Sequence, residues 1–545
     1  MSSKVAQYLN EHLLGEVTTN DNARRRFSTD GSVLTITPDM VIYPRSTSDL
    51  RKIARFSWQL AEKGHKLSVT MRGGGSDQTG AAIGTGIVVS TLAHLDSIFE
   101  VDTKQKLVRL QPGVIIKTLN QSLHSQSLFL PSYPGSQAYS TVGGAIANNA
   151  SGVLSGKYGS IGGWVQQLEI VLSNGDILQT GRISKRELGK KKGLQTFEGE
   201  IYRSIDNIIS DNTALIDSLA IDARDNIGYN IVDVKRRDGS IDLTPLFVGS
   251  QGTLGLISEA ILKTEQLPAT PLVGAIAFSD YDAARDGLDL LRAMNPSVLE
   301  LIDARLFVAA TERGKRYPFY SDALDQGDVA AIVLVEFDDA GDRHKKKIAK
   351  KVAKLFAEQP AYVVLERDAD KAAELRILGL VPAIIQLTDK PELSTPPILV
   401  GAYIPPERFE DFAGAISALE VKHHVQLPLS GHASQHVYYS HPLLNFQKVG
   451  DRQKVFKLLS EWSTLVAAHG GHLIGEAGEG RLKAPFAYKE LDAEVKELFG
   501  SIKELFDPLD IMNTGVKQVV ELKKLATELR SDFDGMEFSS YGAND

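Results

Sequence analysis

Short apolar runs separated by glycine-rich turns dominate the first half of this chain. From about residue 38 to 268 these runs have the length and composition of β-strands. Helical periodicity interrupts them at Ser48–Lys63 and Ile115–His124. The runs are Met40–Tyr43, Gly86–Ser90, Leu107–Leu110, Leu168–Leu172 and Ile257–Lys263. The pattern predicts an α+β domain with many tight turns.

Strand and helix patterns alternate more regularly between about residues 272 and 425. Strand patterns occur at Gly274–Phe278, Ala331–Phe337 and Ala361–Leu365, and helical patterns lie between them at Ala283–Ala293 and Arg343–Ala357. This alternation predicts a sheet backed by helices, the usual shape of a cap domain.

A rise in proline density at 264–271 (TEQLPATP) indicates the junction of two domains. The predicted divisions are an N-terminal helical segment at 1–37, the first domain at 38–268, the cap domain at 269–495, a segment at 496–528 that returns to the first domain, and a polar tail at 529–545.

Composition narrows the class of protein. A net charge of -8 argues against a nucleic-acid partner, which would favour a basic surface. The absence of cysteine excludes disulfides, iron–sulfur ligation and cysteinyl flavin attachment, so any one-electron relay must lie on another polypeptide. No apolar run approaches the roughly 18 residues of a membrane span, and the N-terminus lacks a signal core. A cytoplasmic protein is expected.

The helix predicted at 343–357 is strongly basic. Its cations are Arg343, Lys345, Lys346, Lys347, Lys350, Lys351 and Lys354. Ile348, Val352, Leu355 and Phe356 recur at helical spacing and predict one buried stripe beneath that face. The pattern is typical of a solvated helix face. The alternative is peripheral docking on an anionic membrane surface, on the inner face of the membrane.

The segment Met71–Gly80 (MRGGGSDQTG) holds three consecutive glycines after a strand-like run. Glycine lets the backbone turn through positive φ and brings its N–H groups close to a ligand, and Ser76 and Thr79 add hydroxyl donors. Such a loop suits a pyrophosphate, and a bulky side chain at Gly74 should block that approach. Taken alone, the motif also fits a glycine-rich turn without a ligand.

Further segments are dense in small residues. Pro131–Ser136 and Ser140–Gly152 could place an extended ligand against the main chain, and Val248–Glu259 pairs a glycine turn with a strand. No strand–GxGxxG–helix unit occurs, so a Rossmann site is not predicted. Gly152–Tyr158 lacks the glycine spacing and the Ser/Thr of a P-loop, which argues against a kinase or ATPase.

In this order, the motifs resemble the FAD-linked oxidases of the vanillyl-alcohol-oxidase superfamily, and within it the D-lactate dehydrogenase and glycolate oxidase subunit branch. The matching segments are STDGS (28–32), PRSTSDL (44–50), RGGG with TG (72–80), QPGV (111–114), TVGGAIANNASG (141–152), GSQGTLG (249–255), HGGHLIGEAGEGR (469–481) and FDPLDIMNTGVK (506–517). The resemblance implies an α+β fold: a PCMH-type FAD-binding domain of two subdomains, followed by the cap domain, a substrate domain with a helix-backed antiparallel sheet.

The resemblance also implies where FAD binds. Covalent members of the family carry His or Cys at the flavin-linking position, where this chain has Ser76, so FAD is expected to be non-covalent. The usual GSEGTLG is GSQGTLG here, with Gln251 in place of glutamate. The implied FAD contacts are Arg72, Gly73, Gly74, Gly75, Ser76, Thr79, Gly80, Pro131, Thr141, Gly143, Gly144, Asn148, Asn149, Ser151, Gly152, Tyr158, Gly252, Thr253, Gly255 and Ile257.

The substrate half departs from the family pattern. In the family, an H-x6-H segment and a Glu-His-Gly segment hold a divalent metal and a catalytic histidine. His432 keeps the first ligand position, and Tyr439 replaces the second histidine. Glu476 is kept, but Ala477 stands in the place of the catalytic histidine. The resemblance therefore predicts that no metal is bound.

Two alternatives stay open around these replacements. One is a rearranged metal site in which an extended segment places His472 and Glu476 on one face. Its ligands would be His432, His436, His472 and Glu476. The other is acid–base chemistry by Tyr438 or Tyr439.

Two more residues match family positions. Arg376 matches an arginine expected to pair with the substrate carboxylate, and its alternative is an ordinary surface arginine on a helix. Asn513 matches the family's Asn-Pro-Gly-Lys end, although Thr514 replaces the proline and the lysine comes late, at Lys517. The residues predicted for catalysis are Arg376, His432, Tyr439, Glu476 and Asn513.

The resemblance implies an FAD-dependent dehydrogenase of a D-2-hydroxy acid similar to D-lactate or glycolate. A hydride would pass to FAD, and the electrons would pass on to a separate acceptor, which is a quinone, a carrier or a partner protein. Because the catalytic and metal histidines are replaced, two alternatives stand beside it. One is an FAD oxidase of altered substrate, such as a sugar or aldonolactone, and the other is a flavin-binding subunit or pseudoenzyme.

Overall fold

The computed structural model describes residues 2–220, 226–338, 341–387 and 394–531. The chain divides into two compact units. Unit 1 comprises Met1–Ala150, Ser160–Glu265 and Glu476–Leu529, and unit 2 comprises Ser151–Gly159, Gln266–Gly475 and Arg530–Asp545.

The strands, in chain order, are β1 Glu16–Thr18, β2 Met40–Tyr43, β3 Val69–Arg72, β4 Ile87–Ser90, β5 Ile98–Asp102, β6 Leu107–Leu110, β7 Leu128–Phe129, β8 Val165–Val171, β9 Ile177–Gln179, β10 Leu256–Lys263, β11 Glu265–Gln266, β12 Leu272–Phe278, β13 Val298–Asp303, β14 Ala331–Phe337, β15 Ala361–Glu366, β16 Leu399–Tyr403, β17 Leu429–His432 and β18 Val437–Ser440.

The α-helices are α1 Ser2–His12, α2 Asp21–Arg26, α3 Thr47–Glu62, α4 Ile116–His124, α5 Val142–Asn148, α6 Ser155–Tyr158, α7 Lys185–Lys192, α8 Phe197–Asp211, α9 Thr213–Leu219, α10 Thr244–Phe247, α11 Tyr281–Arg292, α12 Ala304–Glu312, α13 Pro318–Leu324, α14 Asp342–Leu355, α15 Ala369–Arg376, α16 Val381–Leu387, α17 Phe409–His423, α18 Val449–Ala468, α19 Ala484–Ala487, α20 Ala493–Phe506 and α21 Leu522–Thr527. These bounds confirm the predicted strands and helices to within a few residues.

Within its described residues, unit 1 contains two main sheets. The first has the order β1-β2-β4-β3, and β4 pairs in parallel with both β2 and β3. The second is antiparallel, with the order β5-β6-β10-β8-β9. The glycine-rich segment follows β3 directly, so the first sheet positions it.

The N-terminal segment packs into unit 1, whereas the sequence suggested a separate segment at 1–37. Leu9 is buried in the core of the first sheet. The carboxylate of Asp49, at the start of α3, accepts hydrogen bonds from the amides of Leu14 (2.9 Å) and Gly15 (3.0 Å). These bonds fix the end of α1 to the sheet.

Two other boundaries differ from the predicted ones. Residues 476–495 lie in unit 1, because Gly480 and Arg481 donate their amides to Gln251 (2.9 Å) and Thr79 (2.9 Å). Residues 151–159 lie in unit 2, where the Lys157 ammonium contacts Asp338 at 2.6 Å. The predicted tail falls mostly at 532–545, outside the described residues.

Unit 2 is built on one antiparallel sheet with the order β15-β12-β14-β13-β17-β18-β16 in the described residues. One face packs under α12, α15 and α16 in a shared apolar core. The other face packs under α11 and the end of α14, where the rings of Phe278 and Phe356 meet at 5.7 Å. Helices therefore cover both faces, and the expectation of a helix-backed antiparallel sheet is confirmed.

The basic helix differs from its prediction at one residue. Val352 and Phe356 are buried as expected, and Ile348 and Leu355 are half-buried. Lys345, which was assigned to the basic face, is buried, and its ammonium donates to the carbonyl of Thr270. The remaining cations of α14 are exposed.

Candidate active site

The guanidinium of Arg72 lies beneath the glycine loop of unit 1. It donates to the carbonyl of Thr29 at 2.6 Å and lies 5.2 Å from the ring centre of Phe27. Gly75 has a φ of 74°, and a Cβ built on it would overlap this guanidinium. Arg72 therefore supports the loop from below, and its implied contact with FAD stays a prediction.

Gly73 and Gly74 are required by packing inside the protein. A Cβ on Gly73 would overlap Oγ1 of Thr141, and one on Gly74 would overlap the carbonyl oxygen of Tyr139. Thr141 is the N-cap of α5 and accepts from the amide of Gly144 at 3.1 Å. A bulky residue at Gly74 would consequently displace the loop itself, whether or not a ligand binds there.

The upper side of this loop offers a cradle for an anion. Within the described part of the chain, the amides of Gly74, Gly75 and Ser76 donate to no other group. The Ser76 hydroxyl lies 2.8 Å from that of Ser140, just before the N-terminus of α5. Backbone N–H groups near a helix N-terminus suit a phosphate. The loop therefore fits the pyrophosphate of FAD.

A hydrogen-bond network joins the three glycine-rich segments of unit 1. Asp77 accepts from the Thr79 amide (2.9 Å) and from Nδ2 of Asn148 (3.0 Å). Gln251 Nε2 donates to Oδ1 of Asn148 at 2.7 Å, and the amide of Gly480 donates to Oε1 of Gln251 at 2.9 Å. Because the Asp77 carboxylate can only accept hydrogen bonds, the donor and the acceptor of each side-chain bond in this network are fixed.

Several predicted FAD contacts have protein partners instead. Asn149 ends α5 with a φ of 47°, and its side chain bonds the Gly162 amide (3.1 Å) and Asn226 (2.8 Å). Thr253 is fully buried and donates to the carbonyl of Ser250 at 2.7 Å. These bonds hold the segments around the glycine loop in place, and the implied FAD contacts of Asn149 and Thr253 stay predictions.

The remaining predicted FAD contacts of unit 1 differ in the space that surrounds them. Gly143 packs against Pro112 and Gly255 against Ile170, so no side chain fits at either glycine. Gly144 and Gly252 are more open, with no atom closer than 3.2 and 3.9 Å to an added Cβ. Gly80, Pro131 and Ile257 are buried.

Unit 2 contributes the other predicted FAD residues. Ser151 is buried, and its hydroxyl has no hydrogen-bond partner among the described residues, which is consistent with a ligand there. The Gly152 amide donates to the Ser155 hydroxyl at 2.7 Å. The Tyr158 hydroxyl donates to Asp338 at 2.8 Å, and burial raises the pKa of Tyr158 to about 12. Tyr158 is thus a neutral partner of Asp338.

The most distinctive group of unit 2 is a buried pair on adjacent strands. Glu300 on β13 lies directly opposite His432 on β17, and Oε1 of Glu300 is 2.6 Å from Nδ1 of His432. The ring of Tyr439 meets that of His432 edge-on, with centres 5.4 Å apart. Glu300 is also opposite Leu334, a member of the core under α12, so the pair lies on that face of the sheet.

A second histidine lies beside this pair. The Ser430 hydroxyl is 2.7 Å from Nε2 of His441, and Tyr439 stacks on the His441 ring with centres 6.4 Å apart. Burial lowers the pKa of His441 to about 4, so this imidazole is neutral near pH 7. Tyr438 stacks on Phe409 at 4.4 Å, and burial raises its pKa far above neutrality. Tyr438 is therefore a core residue, which argues against its suggested acid–base role.

Arg376 ends α15 and is held by Glu336 on β14. Nε and one terminal nitrogen of Arg376 donate to the two carboxylate oxygens at 2.7 and 2.8 Å. Glu336 lies opposite Val273, a residue of the same apolar core, so the ion pair lies on the sheet face that carries His432. The fork expected to receive a substrate carboxylate is engaged with an internal one.

The residues of the suggested metal site are not gathered into one cluster. Among described residues, no group of three or more His, Cys, Asp or Glu side chains is placed to hold a metal ion. The His472 ring stacks on Tyr403 with centres 5.0 Å apart, and 473–477 contains bends where the alternative required an extended segment. Glu476 and Ala477 belong to unit 1. The residues present do not fit the family's metal centre.

Asn513 has a structural environment in unit 1. Its side chain accepts from the Thr70 hydroxyl at 2.9 Å and donates to the carbonyls of Ala81 (2.8 Å) and Gln251 (2.6 Å). It is 1% exposed, and all of these partners belong to the protein. Asn513 therefore holds the loops around the cradle together, and its expected catalytic role stays a prediction.

Sequence reasoning missed four acidic residues. Asp77 was visible as an Asp two residues before Thr79, the spacing of an Asx turn. Glu300 and Glu336 each interrupt an apolar strand (VLELID and AIVLVEF), which marks a buried carboxylate that needs a partner. Glu479 forms a fully buried ion pair with Lys517 at 2.6 Å, and no local pattern indicates it.

Two family models match the chain. The FAD binding domain matches residues 38–181, and the C-terminal domain of FAD linked oxidases matches residues 267–516. In the described residues, no helix is long and apolar enough to cross a membrane.

Three characterised relatives align with most of the chain. D-2-hydroxyglutarate dehydrogenase of Pantoea ananatis is 28% identical over 92% of this chain, which spans about half (50%) of that protein's length. Glycolate oxidase subunit GlcD of Bacillus subtilis is 28% identical over 88% of each chain. D-lactate dehydrogenase of Archaeoglobus fulgidus is 27% identical over 87% of this chain and 90% of its own.

A solved structure shares the fold. The 4-ethylphenol oxidase of Gulosibacter chungangensis superimposes with a TM-score of 0.69 at 15% identity, covering 96% of this chain and 98% of its own. The two-subdomain flavin fold with a second domain is therefore the fold of this chain.

Proposed function

Because the chain belongs to the FAD-linked oxidases of the vanillyl-alcohol-oxidase superfamily, we propose that it dehydrogenates a D-2-hydroxy acid. The observation that carries this proposal is the group of polar side chains on one face of the unit 2 sheet. That face carries the Glu300–His432 pair and Tyr439, and it carries Glu336, which holds Arg376 of α15. A 2-hydroxy acid needs a proton acceptor for its hydroxyl and a cation for its carboxylate, and this face offers both.

The chain's own residues explain how the cofactor would be held. The amides of Gly74, Gly75 and Ser76 would receive the pyrophosphate, and the network from Asp77 to Gln251 would fix that loop. FAD bound there would supply the acceptor for the hydride that leaves carbon 2 of the substrate. Ser76 cannot form the histidyl or cysteinyl link to the flavin, so a purified sample should release FAD on denaturation.

His432 is the proposed proton acceptor. Its Nδ1 is held by Glu300, which fixes the tautomer with the lone pair on Nε2 and stabilises the imidazolium that would form. As C2–H leaves as hydride, the O–H proton would pass to this nitrogen and the C–O bond would become a carbonyl. A positioned base contributes roughly 10²–10⁴-fold. His432 would therefore compensate for the histidine replaced by Ala477.

Arg376 is the proposed anchor for the substrate carboxylate. The side chain of Arg376 is 40% exposed, whereas that of Glu336 is 10% exposed. A substrate carboxylate would therefore approach the exposed side of an arginine that Glu336 already holds in place. Because the Glu336 carboxylate competes for the guanidinium, the substrate carboxylate should bind more weakly than it would to an arginine without this partner.

The electrons would leave the protein through a separate acceptor, because the chain has no cysteine for an iron–sulfur centre. A quinone, a soluble carrier or a partner protein would each serve. We propose a cytoplasmic location, with peripheral contact to the inner face of the membrane as the alternative.

One experiment separates this function from its alternatives. FAD-loaded protein, dialysed against a chelator, is mixed without oxygen with D-lactate, glycolate, D-2-hydroxyglutarate and an aldonolactone. The absorbance of the oxidised flavin is then followed for each compound. Loss of absorbance with a 2-hydroxy acid supports the proposal. Loss with the lactone alone would indicate the altered oxidase.

The second candidate function is a flavin-binding subunit without turnover. The engagement of Arg376 by Glu336 favours it, because a pocket that no longer binds a carboxylate can keep an internal pair. Unchanged absorbance with every compound, in a sample fully loaded with FAD, would support this alternative.

A further inference from the structure

The exposed surface of α14 carries six cations along a single helix of 14 residues. The six are Arg343, Lys346, Lys347, Lys350, Lys351 and Lys354. In the part of the chain that the structure describes, none of their side chains forms an ion pair or a hydrogen bond. With a rise of about 1.5 Å per residue, they extend over roughly 16 Å.

The helix is fixed with this face outward. Val352 and Phe356 are buried, and Phe356 packs on Phe278. Lys345, on the inner side, donates to the carbonyl of Thr270. The helix therefore cannot turn its apolar side toward a new partner without leaving the sheet.

This charge distribution is unfavourable for the isolated protein. Like charges three and four residues apart destabilise a helix by a few tenths of a kcal/mol for each pair, and this face contains several such pairs. The chain as a whole has a net charge of -8, so this face differs in sign from the overall charge of the protein. A partner with negative charge would relieve the repulsion between these cations.

We propose that α14 docks unit 2 on an anionic lipid bilayer. Clusters of four to eight Lys or Arg residues are typical of binding to anionic lipids. Five of the six cations are lysines, which are depleted at protein–protein interfaces, where arginine and aromatic residues prevail. The described large apolar side chains of α14 are at least half-buried, so the helix adsorbs by charge and does not insert.

The contact would place the substrate domain at the surface where a membrane quinone is reached. The docking itself does not depend on the proposed dehydrogenase activity. It is measured on the FAD-loaded protein by binding alone, so failure of one proposal leaves the other intact.

The test compares vesicles and two quadruple variants. Vesicles contain either phosphatidylcholine alone or phosphatidylcholine with phosphatidylglycerol, at low ionic strength. The test variant carries Lys346→Gln, Lys347→Gln, Lys350→Gln and Lys351→Gln. The control removes the same charge from exposed lysines of unit 1, with Lys104→Gln, Lys117→Gln, Lys496→Gln and Lys523→Gln. Flavin absorbance and the melting temperature confirm that all three proteins fold.

Wild type and control should sediment with the anionic vesicles only, and salt should release them. Each lysine near an anionic surface contributes roughly fivefold to affinity, so the test variant should bind roughly 10²–10³-fold more weakly. Equal binding of test variant and wild type, or absence of wild type from the anionic vesicles, would overturn the proposal. Retention of wild type on immobilised polyglutamate but not on vesicles would indicate an acidic protein instead.

Discussion

Glu300 Oε1 lies 2.6 Å from Nδ1 of His432, and the two residues face each other in register on β13 and β17. Both are nearly excluded from solvent, with side-chain exposures of 8% and 12%. Burying a carboxylate costs free energy unless a partner compensates its charge. Removing either residue of the pair should therefore destabilise the protein. The pair lies on the sheet face that also carries the apolar core under α12. The proposed chemistry is centred on this pair.

The first prediction concerns Glu300→Gln. The amide keeps the volume and a hydrogen bond but no longer stabilises a protonated His432. We expect kcat for the best 2-hydroxy acid to fall at least about tenfold and by no more than the roughly 10²–10⁴-fold that a positioned base contributes, with KM nearly unchanged. Ser430→Ala is the control, since Ser430 bonds His441 and not His432. A wild-type kcat in Glu300→Gln would show that the pair has no part in catalysis.

The second prediction concerns the direction of the network around Asn148. In Gln251→Glu, the residue typical of the family would face Oδ1 of Asn148 with a carboxylate. Asn148 cannot flip, because its Nδ2 donates to Asp77. The variant should lose roughly 1–3 kcal/mol of stability through buried polar groups left unpaired, and should bind FAD more weakly.

Asp77→Asn supplies the compensating change. A side-chain amide at position 77 can donate to a flipped Asn148, which then donates to the carboxylate at position 251. The double variant should therefore recover most of the melting temperature and FAD affinity, whereas each single variant should lose both. Additive losses in the double variant would show that the network has no preferred direction.

The third prediction tests Arg376 through its competitor. Glu336→Gln weakens the hold on the fork, so KM for the hydroxy acid should fall several-fold while kcat stays the same. Arg376→Lys loses the bidentate geometry and should raise KM roughly tenfold, which corresponds to about 1.4 kcal/mol. If both variants lower the melting temperature and leave KM unchanged, the ion pair is only structural.

The fourth prediction follows from the pKa of His441, which burial lowers to about 4. In the unfolded chain, His441 takes up a proton near pH 6.5. In the folded protein, it does so only near pH 4. Stability is therefore full above about pH 6.5 and falls as the pH drops toward 4, by roughly 2 kcal/mol between pH 7 and 5. His441→Gln should lack this pH-dependent loss of stability. Its melting temperature relative to that of wild type should therefore increase as the pH is lowered from 7 to 5. A constant difference would show that His441 titrates normally.

Much of the fold could be predicted from the sequence because glycine turns and apolar periodicity are local signals. Strands such as Met40–Tyr43 and Ala331–Phe337 were located to the residue. The domain boundaries were less predictable, since Asp49 and Gln251 join segments that are distant in sequence. Local pattern does not record which distant segment a side chain will bond.

The candidate site was also predicted only in part. The glycine loop was recognised because its backbone requirement leaves a strict pattern. Arg72 was predicted to contact FAD and Asn513 to act in catalysis, and the sequence did not indicate that both also bond loop carbonyls within unit 1. Glu300 was missed, because its importance comes from the strand register that places it beside His432.

The most direct test of the central claim is the anaerobic flavin reduction by the best 2-hydroxy acid, protonated or deuterated at carbon 2. The account predicts that wild type loses its oxidised-flavin absorbance with the protonated acid and does so several times more slowly with the deuterated one. His432→Ala, equally loaded with FAD, should react roughly 10²–10⁴-fold more slowly. If no 2-hydroxy acid changes the absorbance of the loaded wild-type protein, or if His432→Ala reacts as fast as wild type, the account is contradicted.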